Sequence, residues 1–136
     1  MIPPTATPQP APATQGDVRL VYNGPVFTLY NNTTQAIDIA GLSFHSDSGE
    51  VTISRWDNGY LSTSLYVFPA GDCLMAWTLD AQQQAAPPDC GTRHSWIAVN
   101  NQQDFWNNAA AIEVRWYGAT VTTCPGGDNT CFITLP

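Results

Sequence analysis

The sequence contains no lysine, and its four arginines are set against 11 acidic residues. Nucleic-acid-binding proteins concentrate lysine and arginine to displace counterions from phosphates, so a chain with a net charge of −7 does not fit that class. The same shortage of positive charge disfavours binding to an anionic membrane surface. Charged residues make up only 11% of the chain, so the solvent-facing surface must rely on Asn, Gln, Thr and Ser. Such a surface is common in extracellular β-proteins.

Long apolar runs and catalytic motifs are also missing. No run of 18 apolar residues occurs, so this fragment has no direct membrane span. The G-x-S-x-G nucleophile motif is absent, and with only two glutamates a paired-glutamate glycosidase is disfavoured. Asp57 with Asp72, or Asp104 with Glu113, stay open as carboxylate pairs. We predict that the protein is not an enzyme and uses no cofactor.

The remaining candidates are one histidine for catalysis and three acidic turns for metal binding. His94 would need a carboxylate or a nucleophile nearby, and Asp89 is a candidate neighbour in the sequence. We interpret His94 instead as a histidine that is hydrogen-bonded at the start of a strand. The turns at 47–50, 57–59 and 126–129 each supply fewer oxygens than the six to eight that calcium needs. We therefore predict turns there and no metal site.

The four cysteines predict disulfide bonds. An even number in a small chain indicates two disulfides if the compartment is oxidising, and three connectivities are then available. We favour Cys73–Cys90 and Cys124–Cys131, because each pair closes a local loop rich in proline or glycine. Zinc binding and free thiols are the alternatives, but zinc sites usually pair cysteines two to four residues apart, a spacing that does not occur here. Disulfides predict an extracellular or cell-surface location.

The N-terminal segment differs in composition from the rest of the chain. Five prolines lie between residues 3 and 16, which favours an extended polyproline II conformation and leaves too little apolar surface for a core. We predict a Pro/Thr-rich stalk at 1–16 and one domain at 17–136. An SH3-type ligand is disfavoured because no basic residue flanks the prolines. Since no signal peptide is visible, we expect the chain to be a fragment of a larger exported or membrane-anchored protein.

The rest of the chain alternates short apolar segments with turns. The segments at 18–22, 26–30, 37–39, 42–44, 51–54, 65–68, 73–79, 95–99, 112–117, 119–124 and 131–135 have strand composition, and turn residues separate them. The segments 112–117 and 119–124 are predicted to form a hairpin around Gly118. Strands at such short spacing predict an all-β, immunoglobulin-like β-sandwich with an extended Pro-rich N-terminal tail. The segments at 80–86 and 102–107 lack a long amphipathic period, so we predict loops there.

Two stretches resemble the lamin-tail domain. Residues 27–49 (FTLYNNTTQAIDIAGLSFHSDSG) contain a strand, an Asn-rich turn and the segment around Gly41, and residues 65–74 (LYVFPAGDCL) enter the next strand through proline and glycine. The later stretch 107–121 is similar to a hairpin of that family but lacks its Gly-Asp pair. The resemblance implies an immunoglobulin-like sandwich that serves as a bacterial extracellular accessory module, and it favours binding or scaffolding. The matching positions are Leu29, Asn31, Ile37, Asp38, Ile39, Gly41, Leu42, Pro69, Gly71 and Leu74.

Aromatic residues are abundant, with five Trp, five Tyr and five Phe. We assign Trp77 and Trp116 to the core because they lie within predicted strands. The aromatic residues in Asn-rich loops have two interpretations: they cover the core, or they stack on sugar rings while Asn side chains bind hydroxyls. The predicted binding residues are Trp56, Asn58, Tyr60, Phe105, Trp106 and Asn107, with Asn101 and Asn108 as further hydroxyl ligands.

These observations lead to one expected function and two alternatives. We expect a non-catalytic extracellular module on a Pro/Thr stalk that contacts protein or glycan partners at the cell surface. A carbohydrate-binding module in the strict sense is one alternative. The other is a structural subunit of a surface filament or layer, which would require self-assembly.

Overall fold

The computed structural model describes residues 16–136, so almost all of the predicted stalk lies outside the described residues. The described part forms nine strands and one 3₁₀ turn, Ile53–Trp56. The strands are β1 (Val18–Asn23), β2 (Val26–Asn31), β3 (Leu42–His45), β4 (Glu50–Thr52), β5 (Cys73–Thr78), β6 (Arg93–Val99), β7 (Ala111–Trp116), β8 (Ala119–Pro125) and β9 (Asn129–Ile133).

The strands form two sheets, which confirms the predicted all-β sandwich. One sheet has the order β6-β5-β2-β1-β9, and the other has the order β4-β3-β7-β8. Neighbouring strands run antiparallel except for β5 and β6, which are parallel. A parallel pair cannot be joined by a tight turn, so the chain crosses over through residues 79–92 before β6 begins. This crossover leaves β6 at the edge of its sheet.

Aromatic rings fill the centre of the core between the sheets. The ring centroid of Phe27 lies 4.9 Å from that of Phe105, and 5.5 Å from those of Phe44 and Trp106. Trp56 approaches Phe27 to 6.4 Å from the 3₁₀ turn. Such tilted and edge-to-face pairs contribute about 0.5–1.5 kcal/mol each beyond the burial of their area. Both sheets therefore pack on one aromatic cluster.

The crossover covers part of the outer face of the five-stranded sheet. Asp89 accepts hydrogen bonds from Tyr30 Oη at 2.8 Å and from Arg19 Nη2 at 2.9 Å. These two hydrogen bonds lower the pKa of the Asp89 carboxyl. Cys90 is bonded to Cys73 on β5. The crossover is thus held to β1, β2 and β5, and Asp89 is not the neighbour of His94 that the sequence suggested.

The two disulfides pair as predicted. Cys73–Cys90 and Cys124–Cys131 have Cα–Cα distances of 5.7 and 5.8 Å, within the usual range for disulfides. The second bond joins β8 of the four-stranded sheet to β9 of the five-stranded sheet, so it fastens the two layers at one edge. Both bonds are consistent with an oxidising environment.

Gly41 allows an aromatic ring to approach the backbone closely. A Cβ atom there would lie 2.6 Å from the ring of Tyr117. Tyr117 and Gly118 form the two-residue turn between β7 and β8, with φ angles of 48° and 88°. Positive φ at both positions is the type I′ geometry that matches the twist of a hairpin. The hairpin predicted around Gly118 is confirmed.

Some predicted strand segments have a different local structure. Residues 37–39 and 65–68 form an isolated bridge between Ile37 and Phe68, and the Ile39 N–H donates to the Leu65 carbonyl at 2.8 Å, but they do not form a ladder of strands. The Asn31 side chain donates to the carbonyl of Phe68 at 2.9 Å and to that of Gln35 at 2.8 Å, which ties both segments to the end of β2. The predicted strand at 51–54 is divided between β4 and the 3₁₀ turn. The segments 80–86 and 102–107 are loops, as predicted.

The two disulfides close loops of different length. We expect the disulfide that closes the longer loop to contribute more to the free energy of unfolding. Cys73–Cys90 spans 17 positions and Cys124–Cys131 spans 7. Loop entropy in the unfolded chain predicts a loss of about 3 kcal/mol for Cys73→Ser with Cys90→Ser, and about 2 kcal/mol for Cys124→Ser with Cys131→Ser. Urea unfolding of both double variants measures this difference. A larger loss for the shorter loop would contradict it.

Candidate functional site

Three of the predicted binding residues lie in the core. Trp56, Phe105 and Trp106 are 0%, 0% and 2% exposed. The indole N–H of Trp56 donates to the Met75 carbonyl at 2.7 Å, and that of Trp106 donates to the Gly24 carbonyl at 3.0 Å. Large aromatic rings with a satisfied N–H are stable in the core, and rings so buried cannot stack on a ligand. The prediction that these three form a binding surface is wrong, and the alternative that they cover the core is right.

The other three predicted residues belong to two separate surface sites. Asn58 and Tyr60 line a cleft of about 520 Å³ beside β6. Asn107 lines a polar hollow of about 460 Å³ together with Asn101 and Asn108. The six predicted residues therefore do not form one site, and the cleft at β6 has the more apolar lining.

The cleft follows the edge strand β6. Residues 93–98 form one side of it, and the segment after the 3₁₀ turn supplies the other. Inward-facing residues of β6 are buried, whereas Trp96 points away from the core and is 38% exposed. The lining residues are Arg55, Asn58, Tyr60, Arg93, His94, Ser95, Trp96, Ile97 and Ala98.

Trp96 is the best-fixed aromatic surface in the cleft. Its ring stacks on Trp77 with a centroid distance of 4.6 Å and an interplanar angle of 17°. Trp77 is itself buried, at 3% exposed, beneath the crossover. A surface ring held by a buried ring loses little conformational freedom when a ligand contacts it. Trp96 is not among the predicted binding residues, although the alternation in β6 places it opposite the buried positions.

Asn58 fixes the wall of the cleft. Its Nδ2 donates to the carbonyl of Trp96 at 3.2 Å. Its Oδ1 accepts from the amide N–H of Tyr60 at 3.1 Å and from Ser95 Oγ at 3.3 Å. These contacts attach the loop to the edge of β6 and occupy polar groups that an edge strand otherwise exposes. Asn58 is thus a positioning residue, and Tyr60, which is 85% exposed, is the side chain that the loop presents.

His94 joins a serine and an aspartate at one end of the cleft. His94 Nε2 lies 2.6 Å from Asp72 Oδ2, and His94 Nδ1 lies 2.6 Å from Ser62 Oγ. The Ser62 N–H also donates to the His94 carbonyl at 3.1 Å, and Asp72 Oδ1 accepts from the Thr92 N–H at 3.0 Å. The carboxylate beside His94 is therefore Asp72 and not the predicted Asp89; its separation of 22 positions leaves no local signal in the sequence.

The Ser62–His94–Asp72 group shares part of its geometry with a serine hydrolase. If Asp72 accepts the Nε2 proton, the Nδ1 atom is free to accept the Ser62 hydroxyl proton. A hydrolase also needs backbone donors directed at the oxyanion, and the amide of Ser62 is already engaged by His94. The same hydrogen bonds tie the 57–72 segment to β6, so we interpret the group as a structural clamp.

Comparisons with known proteins do not assign a family. No family model matches the chain, and a search of curated proteins finds no match. The resemblance to the lamin-tail domain therefore stays a prediction. Within residues 16–136, no group of three or more His, Cys, Asp or Glu side chains is placed to hold a metal ion. No helix in that same range is long and apolar enough to cross a membrane.

The clamp interpretation predicts that Ser62 does not react as a nucleophile. We expect a fluorophosphonate probe to label the wild-type protein no more than the Ser62→Ala variant. Asp72→Asn should lower the free energy of unfolding by about 1–3 kcal/mol, because it weakens the hydrogen bonds to His94 and Thr92. Intact-mass spectrometry and urea unfolding measure the two effects. Labelling that depends on Ser62 would contradict the clamp and indicate a hydrolase.

The burial difference between the two aromatic residues of the 55–60 segment gives a second prediction. Trp56→Ala should lower the free energy of unfolding by about 3–5 kcal/mol, because it empties a core position. Tyr60→Ala should change it by no more than about 0.5 kcal/mol, as expected for an exposed side chain. Chemical unfolding of both variants makes the comparison, and similar losses in the two would show that the assignment is wrong.

Proposed function

We propose that this protein is a non-catalytic extracellular module that binds a glycan in the cleft beside β6. The observation that carries the proposal is Trp96, an exposed ring stacked on the buried Trp77. Sugar rings present C–H groups on their faces, which pack against aromatic rings. Tyr60 adds a second exposed ring to the same cleft.

The size and lining of the cleft support a small-ligand site. Its volume of about 520 Å³ falls within the range of about 300–1,000 Å³ that such sites occupy. Apolar and aromatic surface dominates, and a few polar groups interrupt it, as is typical of sites that fix the orientation of a ligand. The polar hollow around Asn107 lacks an aromatic side chain among the residues that line it, so it fits a sugar less well.

The cellular setting rests on the disulfides and on the sequence. Two disulfides favour an oxidising compartment outside the cytoplasm. The Pro/Thr-rich segment at 1–16 is the predicted stalk, which would hold the module away from the cell surface or from a neighbouring domain. The lamin-tail resemblance of the sequence supports an accessory role beside other domains. Together these features favour recognition of a partner over catalysis.

Removing the Trp96 ring tests this function. On an array of cell-surface glycans, we expect Trp96→Ala to weaken binding about tenfold or more, because stacking and burial of one aromatic ring contribute about 1.4 kcal/mol or more. Tyr66→Ala is the matched control, since Tyr66 is 66% exposed and lies outside the cleft. Thermal unfolding verifies that both variants are folded. The proposal is wrong if the wild-type protein binds no glycan, or if Trp96→Ala binds as the wild type does.

A further inference from the structure

Positive charge is concentrated in the cleft of a strongly acidic protein. The chain has a net charge of −7 and only four arginines, yet two of them, Arg55 and Arg93, line the cleft. None of the described residues that line it is Asp or Glu. The other two arginines lie elsewhere and are neutralised in ion pairs, Arg19 with Asp89 and Arg115 with Glu113.

The guanidinium N–H groups of Arg55 have no acceptor among the described residues. In the part of the chain that the structure describes, its guanidinium makes no hydrogen bond and no ion pair. It also borders a smaller hollow that contains Glu50, with which it forms no ion pair. Its backbone belongs to the 3₁₀ turn that Trp56 anchors in the core. An exposed and unengaged guanidinium on a fixed backbone is available to pair with an anion.

The other cationic groups of the cleft are already engaged. Arg93 Nη1 donates to the Gln84 carbonyl at 2.6 Å, and its guanidinium carbon lies 5.6 Å from the ring centroid of Trp77. Both ring nitrogens of His94 are held by Asp72 and Ser62. Arg93 therefore adds positive potential, whereas Arg55 is the group that can form a paired hydrogen bond with a ligand.

The chemistry of these side chains defines a class of ligand. An arginine fork matches a carboxylate with two parallel hydrogen bonds, and Trp96 and Tyr60 offer ring faces beside it. Because the whole protein is acidic, a densely charged polyanion would be repelled from the surface around the cleft. Single carboxylates spaced along a sugar chain avoid that repulsion and still pair with one arginine.

We propose that the cleft selects an acidic glycan that contains uronic acid, an inference that rests on the proposed function. Arg55 binds the carboxylate, and Trp96 contacts the sugar ring. The assignment depends on two independent observations. One is the open guanidinium in an acid-free cleft, and the other is the fixed aromatic surface next to it. A neutral glycan makes use of the aromatic surface alone, and the net charge of −7 disfavours a nucleic acid.

The test compares ligands that differ only in charge. A trisaccharide with one galacturonate residue and a trisaccharide with one glucuronate residue are each titrated calorimetrically beside the same trisaccharide with its carboxylate methyl-esterified. We expect the wild-type protein to bind at least one acid form about tenfold more tightly than its ester. Arg55→Gln should remove that preference while keeping the affinity for the ester. Arg115→Gln, which changes an arginine outside the cleft, should keep the preference.

The outcomes separate this inference from the proposed function. If neutral glycans and the esters bind as tightly as the acids, the acidic selectivity is wrong and the glycan-binding function stands. If sulfated but not uronic oligosaccharides bind through Arg55, the carboxylate assignment is overturned. If no glycan of either kind binds, both proposals fail. A preference for the acids that survives Arg55→Gln would remove Arg55 from the site.

Discussion

The burial of Trp56 is the contact on which the rest of the cleft depends. Its indole is fully enclosed between the sheets and donates to a carbonyl of β5, the inner strand next to β6. That one side chain fixes the 3₁₀ turn, and the turn determines where the following loop leaves the core. Asn58 then attaches the loop to β6, which places Arg55 and Tyr60 beside Trp96. A residue with no access to a ligand thus shapes the binding surface.

The parallel pairing of β5 and β6 has a similar indirect effect. Because a parallel connection needs a long crossover, residues 79–92 pass over the outer face of the sheet and bury Trp77 beneath them. The crossover stops short of Trp96, which remains at the surface with its ring held by Trp77. The topology therefore produces a rigid aromatic surface beside an edge strand without adding a separate domain.

Local features of the sequence could be predicted, and features that depend on distant pairing could not. The disulfides close nearby loops and the hairpin at Gly118 has a short turn, so composition and spacing were sufficient. Trp56 and Trp106 flank polar residues, and nothing local shows that their rings turn inward. The neighbours of His94 were missed because they meet it only after β6 pairs with β5. Candidate sites on this fold depend on such long-range contacts.

The pairing of the first and last strands has a mechanical consequence. Val18 at the start of β1 lies opposite Ile133 at the end of β9, so the two ends of the folded domain are adjacent. A force that separates these ends would break the hydrogen bonds between β1 and β9 one after another, beginning at Val18 and Ile133. The separation of β9 from β1 would reach Cys131 after two residues. The disulfide between Cys131 and Cys124 would then transfer the applied force to β8 of the other sheet. The short disulfide loop is therefore a covalent stop against unravelling from this edge.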